Sequence, residues 1–264
     1  MIAIDAALRD QNLLGAALGD AGSWRSWLAV LRAAFGLPLD TEQRATFAKV
    51  AGDRPTPTSR VAELHAIVGR RGGKSRMAAA IAAFVAAFDD HKAKLAPGET
   101  GFVLVLAPTK EQAGILYRYI VAYFEQSPVL RQEIENIGAN ELQLRGNIAI
   151  AVHPNSFRSV RGRTLLACLL DETAFMRSDD SALPDKELYR AVIPALATTR
   201  GMLISISSPY RRAGLMFEKH RDHFGKDGDV LVIQAATREL NPTLPASIID
   251  RAKESDPEAA RAEW

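Results

Sequence analysis

The sequence predicts an α/β fold with a mainly parallel central sheet flanked by helices. Three observations carry this. The apolar run Leu64-His65-Ala66-Ile67-Val68 leads into Gly69-Arg70-Arg71-Gly72-Gly73-Lys74-Ser75 and then into an alanine-rich stretch. That is the strand, loop and helix order of a phosphate-binding loop. A second apolar run, Thr164 to Leu170, ends in Asp171-Glu172, as expected of a strand buried on both faces. Between and after these runs, strand-like and helix-like segments alternate, which favours parallel pairing with helical crossovers.

The elements follow in chain order. Residues 1 to about 50 read as helical: Trp24, Trp27, Leu28, Leu31 and Phe35 recur at helical spacing as a core stripe, and Gly36-Leu37-Pro38 interrupts it. Thr41 to Val50 reads as a second helix, and Arg54-Pro55-Thr56-Pro57-Thr58 connects to the first strand, 62–68. A helix over 74–90, a strand over 102–107 and a helix over 110–125 come next. The last of these opens with a capping-box sequence, Thr109-Lys110-Glu111-Gln112. Residues 142–144 and 148–152 flank Arg145-Gly146-Asn147, a hairpin signature. After the strand ending at Asp171 come a helix near 186–197 and a strand over 202–207. Beyond Pro209 the chain reads as a small lid: a helix at 213–224, a strand at 230–234 and a polar helical tail. The expected organisation is a core over 1–210, with the helical segment 1–58 included, and a lid over 211–264.

The loop carries the chemistry. Its glycines, Gly69, Gly72 and Gly73, let backbone N–H groups converge on one anion, and Lys74 adds a full charge at a helix N-terminus. The position six residues before Lys74, usually glycine, is Val68, so the loop is a variant form. Ser75 stands where a hydroxyl ligates the Mg²⁺ that accompanies ATP, and Asp171 is the second candidate for the metal. Glu172 is placed to polarise an attacking water.

Composition bounds the rest. The chain has 264 residues, 47% apolar and 24% charged, and a formal charge of +2, which does not by itself demand a nucleic-acid partner. Basic residues cluster locally: Arg70, Arg71, Lys74 and Arg76; Arg158, Arg161 and Arg163; Arg211 and Arg212. Beside a phosphate loop, some of these are expected to meet phosphates of nucleotide or DNA. A single cysteine, Cys168, excludes an internal disulfide. No secretory signal is visible and the alanine-rich run is too short to span a bilayer, so an intracellular location without a membrane partner is expected.

These residues together resemble the ATPase domain of the large terminase subunit of tailed bacteriophages. The variant loop with its early arginine is one motif. Asp171-Glu172-Thr173-Ala174-Phe175, Val160-Arg161-Gly162 and Ser205-Ile206-Ser207-Ser208-Pro209 are the others, and Gln43 after Leu37-Pro38-Leu39 is similar to an adenine-reading glutamine. The resemblance implies a P-loop NTPase with ATP and Mg²⁺ as its ligands. It implies that Lys74 holds the β- and γ-phosphates and that Arg70 senses the γ-phosphate. Gln43, Gly69, Arg71, Gly72, Gly73 and Arg76 complete the nucleotide site, while Ser207 and Ser208 couple phosphate state to motion. Arg161 is implied as an arginine finger reaching a neighbouring subunit; the competing reading is contact with a backbone carbonyl or a DNA phosphate, with Arg158 as the substitute finger.

The implied partners are double-stranded DNA, the portal protein, the small terminase subunit and copies of the chain in a ring, a pentamer, with a monomer when isolated. The implied location is the host cytoplasm, docked transiently on a procapsid. The nuclease domain of a full terminase is not expected, since no later acidic cluster supplies two-metal ligands. Two other readings compete: a helicase-like P-loop motor, and a non-hydrolysing module that binds DNA or portal.

Overall fold

The computed structural model describes residues 2–91, 93–154, 160, 162–176 and 184–264, with the side chains of 259, 261 and 262 left aside. Eleven helices are found among them. Helices α1 (Ile4–Arg9), α2 (Gly15–Leu18), α3 (Arg25–Ala34) and α4 (Thr41–Ala51) form the N-terminal segment. The core helices are α5 (Lys74–Phe88), α6 (Lys110–Glu125), α7 (Pro184–Ala197) and α8 (Leu215–His223). The C-terminal ones are α9 (Thr237–Leu240), α10 (Ala246–Ser255) and α11 (Pro257–Glu263).

Eight strands form one sheet: β1 (Glu63–Val68), β2 (Gly101–Ala107), β3 (Ile134–Ile137), β4 (Glu141–Leu144), β5 (Ile148–Pro154), β6 (Thr164–Asp171), β7 (Met202–Ser207) and β8 (Val230–Ala235). Their spatial order is β3-β4-β5-β2-β6-β7-β1-β8. The six from β5 to β8 pair in parallel, and β3 and β4 add an antiparallel edge. The mainly parallel α/β architecture expected from the sequence is therefore present.

Helices cover both faces. On one, α3, α5 and α6 pack Trp27, Leu31, Met77, Ile81 and Phe124 against the sheet. On the other, Leu188, Val192 and Leu196 of α7 cover Leu165, Cys168 and Leu170 of β6. That double cover is why β6 reads as an unbroken apolar run. Cys168 lies fully buried in this second layer.

Of two local expectations, the hairpin is present and the capping box is only partly formed. In the β4–β5 hairpin, Gly146 and Asn147 both take left-handed backbone (φ 77° and 59°), which glycine and asparagine tolerate best. At the start of α6 only half of the capping box forms. Thr109 Oγ1 accepts from Gln112 N at 3.2 Å, while Gln112 Oε1 is buried with no hydrogen-bond partner. The complete box belongs to α4, where Asp40 and Gln43 cap each other.

The stretch 211–264, expected as a lid, is joined to the core by strand pairing. Its β8 runs parallel to β1 over Glu63↔Val230 to Val68↔Ala235. Arg54, 5% exposed, donates to Val230 O at 2.8 Å and Gly228 O at 3.0 Å, tying the start of β8 to the chain after α4. Strand pairing satisfies the backbone of an apolar segment that a detached lid would leave open. No described helix is long and apolar enough to cross a membrane.

The topology decides where a site can form. Strand β1 lies between β7 and β8, with β6 one place further on. The C-terminal ends of β1, β6 and β7 thus bring Gly69–Ser75, Asp171-Glu172 and Ser207-Ser208 to one edge, the edge at which parallel sheets bind ligands.

Candidate active site

The loop after β1 is built for close approach. Gly73 caps α5 in left-handed backbone (φ 85°), and a Cβ there would lie 2.5 Å from the Trp24 ring. At Gly72 a Cβ would meet Val68 Cγ1 at 2.5 Å, and at Gly69 it would meet Thr237 Oγ1 at 2.3 Å. Arg71 also takes positive φ (62°). The loop leads into the N-terminus of a 15-residue helix, a position that favours an anion, while the N–H groups of Arg70 and Gly72 are taken by Glu263 O and Gly69 O.

Lys74 lies at its centre, 6% exposed. Its Nζ donates to Val68 O (3.0 Å), Gly69 O (3.3 Å) and Ser208 Oγ (2.8 Å), and lies 3.8 Å from Glu172 Oε1. Burial lowers the ammonium's affinity for its proton, and the charges of Glu172 and Asp171 oppose that shift. The segment after β7 therefore meets the Gly69–Ser75 loop directly, through Ser208 and Lys74.

Asp171 and Glu172 differ in environment. Asp171 is 4% exposed, and its Oδ1 is buried without a hydrogen-bond partner. Burial first, and the Glu172 charge second, push its carboxyl up to about 7, with Lys74 opposing. Glu172 takes left-handed backbone (φ 45°, ψ 45°), an uncommon conformation for a non-glycine residue. Its carboxylate accepts from Ser208 N (3.2 Å) and Ser207 Oγ (3.4 Å). Ser207 Oγ accepts from Ala174 N (3.2 Å), and Thr173 Oγ1 bonds Leu170 O (3.1 Å) and Ser205 Oγ (2.8 Å). The hydroxyls of β7 thus hold the turn that aims Glu172.

The donor set fits Mg²⁺. A buried carboxylate oxygen without a partner and the half-buried Ser75 hydroxyl at the helix start are hard oxygen ligands of the kind this ion takes. A measurable consequence follows for metal-free protein. Folded Asp171 keeps its proton up to about pH 7, whereas the unfolded carboxyl releases it near the ordinary value of 3.8. Asp171 therefore contributes stability that is lost as pH rises from about 4 to about 7, read as the difference between unmodified protein and Asp171→Asn, because the lowered His65, His91 and His153 imidazoles shift stability the other way. Added Mg²⁺ should raise the melting temperature above that window, and Asp171→Asn should remove both effects. A difference in melting temperature between unmodified protein and Asp171→Asn that stays constant across the window would contradict this.

An open cavity of about 1050 Å³ lies over the loop. Its walls include Arg70 to Arg76, Glu172 and Ser208; Trp24 and Tyr119 close its sides, and Asn241 comes from beyond α9. Gly72, Gly73, Lys74, Ser75 and Glu172 all border this space, and Ser207 stands behind Glu172. Arg70 lines it too, but its guanidinium pairs with Glu263 at 2.9 Å. Arg76 donates to Leu18 O (3.2 Å) and lies 5.4 Å over the Trp24 ring, so it ties α2 to the loop helix. Gln43 is not brought to the cavity: its amide oxygen accepts from Asp40 N at 3.1 Å and completes the α4 cap. Arg158 and Arg161 lie outside the described residues.

Three supports of the loop are not evident from the motifs. Trp27 Nε1, within the predicted core stripe, donates to Gly72 O at 2.7 Å. Its signal is generic: a buried indole N–H needs an acceptor. Thr237 Oγ1 donates to Arg70 O and Asn241 Nδ2 to Arg71 O, each at 2.7 Å. Nothing local in the sequence marks these two, because β8 alone brings them there.

No family model matches the chain, and no curated protein does. Solved structures do. The chain is similar to the large terminase ATPase domain of Thermus phage P74-26, at 20% identity and a TM-score of 0.58, covering 89% of this chain and 96% of that one. An alanine mutant of that domain gives 19% and 0.59 with the same coverage. The large terminase of bacteriophage HK97 gives 17% and 0.54; the match covers 84% of this chain and 48% of that longer one. At such identities the likeness is one of fold, shared with these large-terminase ATPase domains.

Proposed function

We propose that the protein is an Mg²⁺-dependent ATPase, the motor domain of a phage large terminase that drives double-stranded DNA into a procapsid. The observation that carries this reading is the junction at Lys74. One buried ammonium touches the phosphate loop and Ser208 and faces Glu172, beside a buried Asp171 with an unpartnered oxygen. Similarity of fold to large-terminase ATPase domains supports the motor assignment.

In this reading Lys74 and the loop N–H groups bind the β- and γ-phosphates. Ser75 and Asp171 hold Mg²⁺, which when bound neutralises charge on the phosphates. Glu172, held by Ser207 and Ser208, orients and polarises the attacking water. As Lys74 moves its hydrogen bonds to phosphate, Ser208 is left without its donor, and this change is passed into the connection after β7. The partners in this reading are duplex DNA, the portal protein, the small terminase subunit and further copies of the chain in a ring, acting in the host cytoplasm.

The test is Mg²⁺-ATP hydrolysis together with binding of a fluorescent ATP analogue. Lys74→Met is expected to weaken nucleotide binding on the order of 10²-fold, since it removes two charge-assisted hydrogen bonds to phosphate. Nucleotide binding unchanged in Lys74→Met, with the fold intact by circular dichroism, would refute the assignment of this loop.

A further inference from the structure

The connection from β7 to α8, residues 208–214, is pinned at both ends and carries charge in its middle. At one end Ser208 is buried, accepting from Lys74 Nζ and donating its N–H to Glu172. At the other end Leu215 N donates to Asp185 Oδ2 at 2.6 Å, and Asp185 is itself buried. Gly214 takes φ 85°, and a Cβ there would lie 2.5 Å from that same carboxylate. Glycine is therefore required for the loop to close on Asp185.

Between these anchors the side chains face water. Tyr210 is 50% exposed, and its ring packs on Phe175 at 4.5 Å between centroids. Phe175 sits in the short turn that follows Glu172 and lines the cavity. Arg211 and Arg212 are both exposed, and neither guanidinium has an ion-pair or hydrogen-bond partner among the described residues. Two adjacent cations beside an aromatic platform, on a loop held at both ends, contribute nothing visible to folding. They are chemically suited to a polyanion: guanidinium binds phosphate oxygens in bidentate fashion.

We infer that Tyr210, Arg211 and Arg212 form a contact surface for the phosphate backbone of duplex DNA. The inference rests on the motor reading above and deepens it. Its placement gives the surface a consequence: a load on residues 210–212 acts on Ser208, which touches both Lys74 and Glu172. Recognition through the backbone makes the binding independent of base sequence.

The experiment uses the full chain and a fluorescently labelled duplex, with anisotropy followed over a salt series. The double variant Arg211→Ala/Arg212→Ala is expected to reduce the steepness of log K against log salt by about 1.8, roughly 0.9 for each phosphate that is no longer neutralised. Affinity should fall equally for unrelated sequences, with ATP affinity and melting temperature unchanged. Tyr210→Ala should weaken duplex binding without altering the slope by as much. A duplex slope unchanged in the double variant would overturn the inference and leave the motor reading standing. So would a defect confined to ATP turnover that depends on protein concentration, which would assign the arginines to a neighbouring subunit's nucleotide. No duplex binding by the unmodified protein, under conditions where it hydrolyses ATP, would overturn the motor reading and the inference together.

Discussion

Glu172→Gln is expected to lower ATP turnover by roughly 10²- to 10⁴-fold while leaving ATP binding close to that of the unmodified protein. The reason lies in what holds the side chain. Glu172 accepts from the Ser208 N–H and from Ser207 Oγ, and a glutamine amide oxygen can accept from the same donors. The left-handed turn at this position is held by backbone hydrogen bonds and by Thr173, so the substitution need not relax it. What glutamine lacks is the negative charge that polarises water. It also removes the carboxylate 3.8 Å from Lys74 Nζ, which leaves that ammonium freer for phosphate and keeps binding from falling. Single-turnover hydrolysis measured beside equilibrium binding of a fluorescent ATP analogue separates the two effects. Turnover that survives would place the general base elsewhere. Weakened binding with turnover scaled to occupancy would make Glu172 a partner of Lys74 and nothing more.

The second large effect is one of stability. Trp27→Ala is expected to cost about 3–5 kcal/mol, the usual range for deleting a large buried aromatic. Trp27 is 1% exposed and belongs to the main core layer. It also donates to Gly72 O at 2.7 Å, inside the phosphate loop, and its Nε1 lies 3.2 Å from where a Cβ on Gly73 would sit. Trp27→Phe separates packing from the hydrogen bond. Phenylalanine retains much of the apolar packing but leaves the Gly72 carbonyl without its donor, a cost of about 1–3 kcal/mol if water cannot enter. Both variants should bind ATP more weakly, because the indole N–H no longer holds the loop backbone in place. Urea unfolding with and without ATP is the appropriate measurement. A Trp27→Phe protein with unmodified stability and ATP affinity would mean that the indole N–H does nothing for the loop.

Much of the site is legible in sequence because its parts are local. The strand, glycine turn and Lys74-Ser75 lie within a dozen residues, and the physical demands on such a loop leave few alternatives. Asp171 and Glu172 are legible because a doubly covered strand must be apolar until it emerges, so the first acids mark its end. Ser207 and Ser208 are recognisable by motif, but their partners are not, since Lys74 and Glu172 are far away along the chain. Gln43 shows the opposite outcome. A glutamine three residues after Asp40 has a local use as a helix cap, and in this structure that use takes its amide oxygen.

Periodicity and interactions between near neighbours were enough to specify helices on both sides of a parallel sheet, the glycine-rich turn into α5 and the acids that end β6. Pairing of β8 with β1, which brings Thr237, Asn241 and Glu263 behind the loop, was settled only by the three-dimensional fold. The same holds for Trp27 bonding to Gly72 and for Ser208 meeting Lys74. Each of these interactions joins residues distant in the chain. Strand pairing and helix packing set their geometry, and no local pattern encodes which distant donor will meet which acceptor.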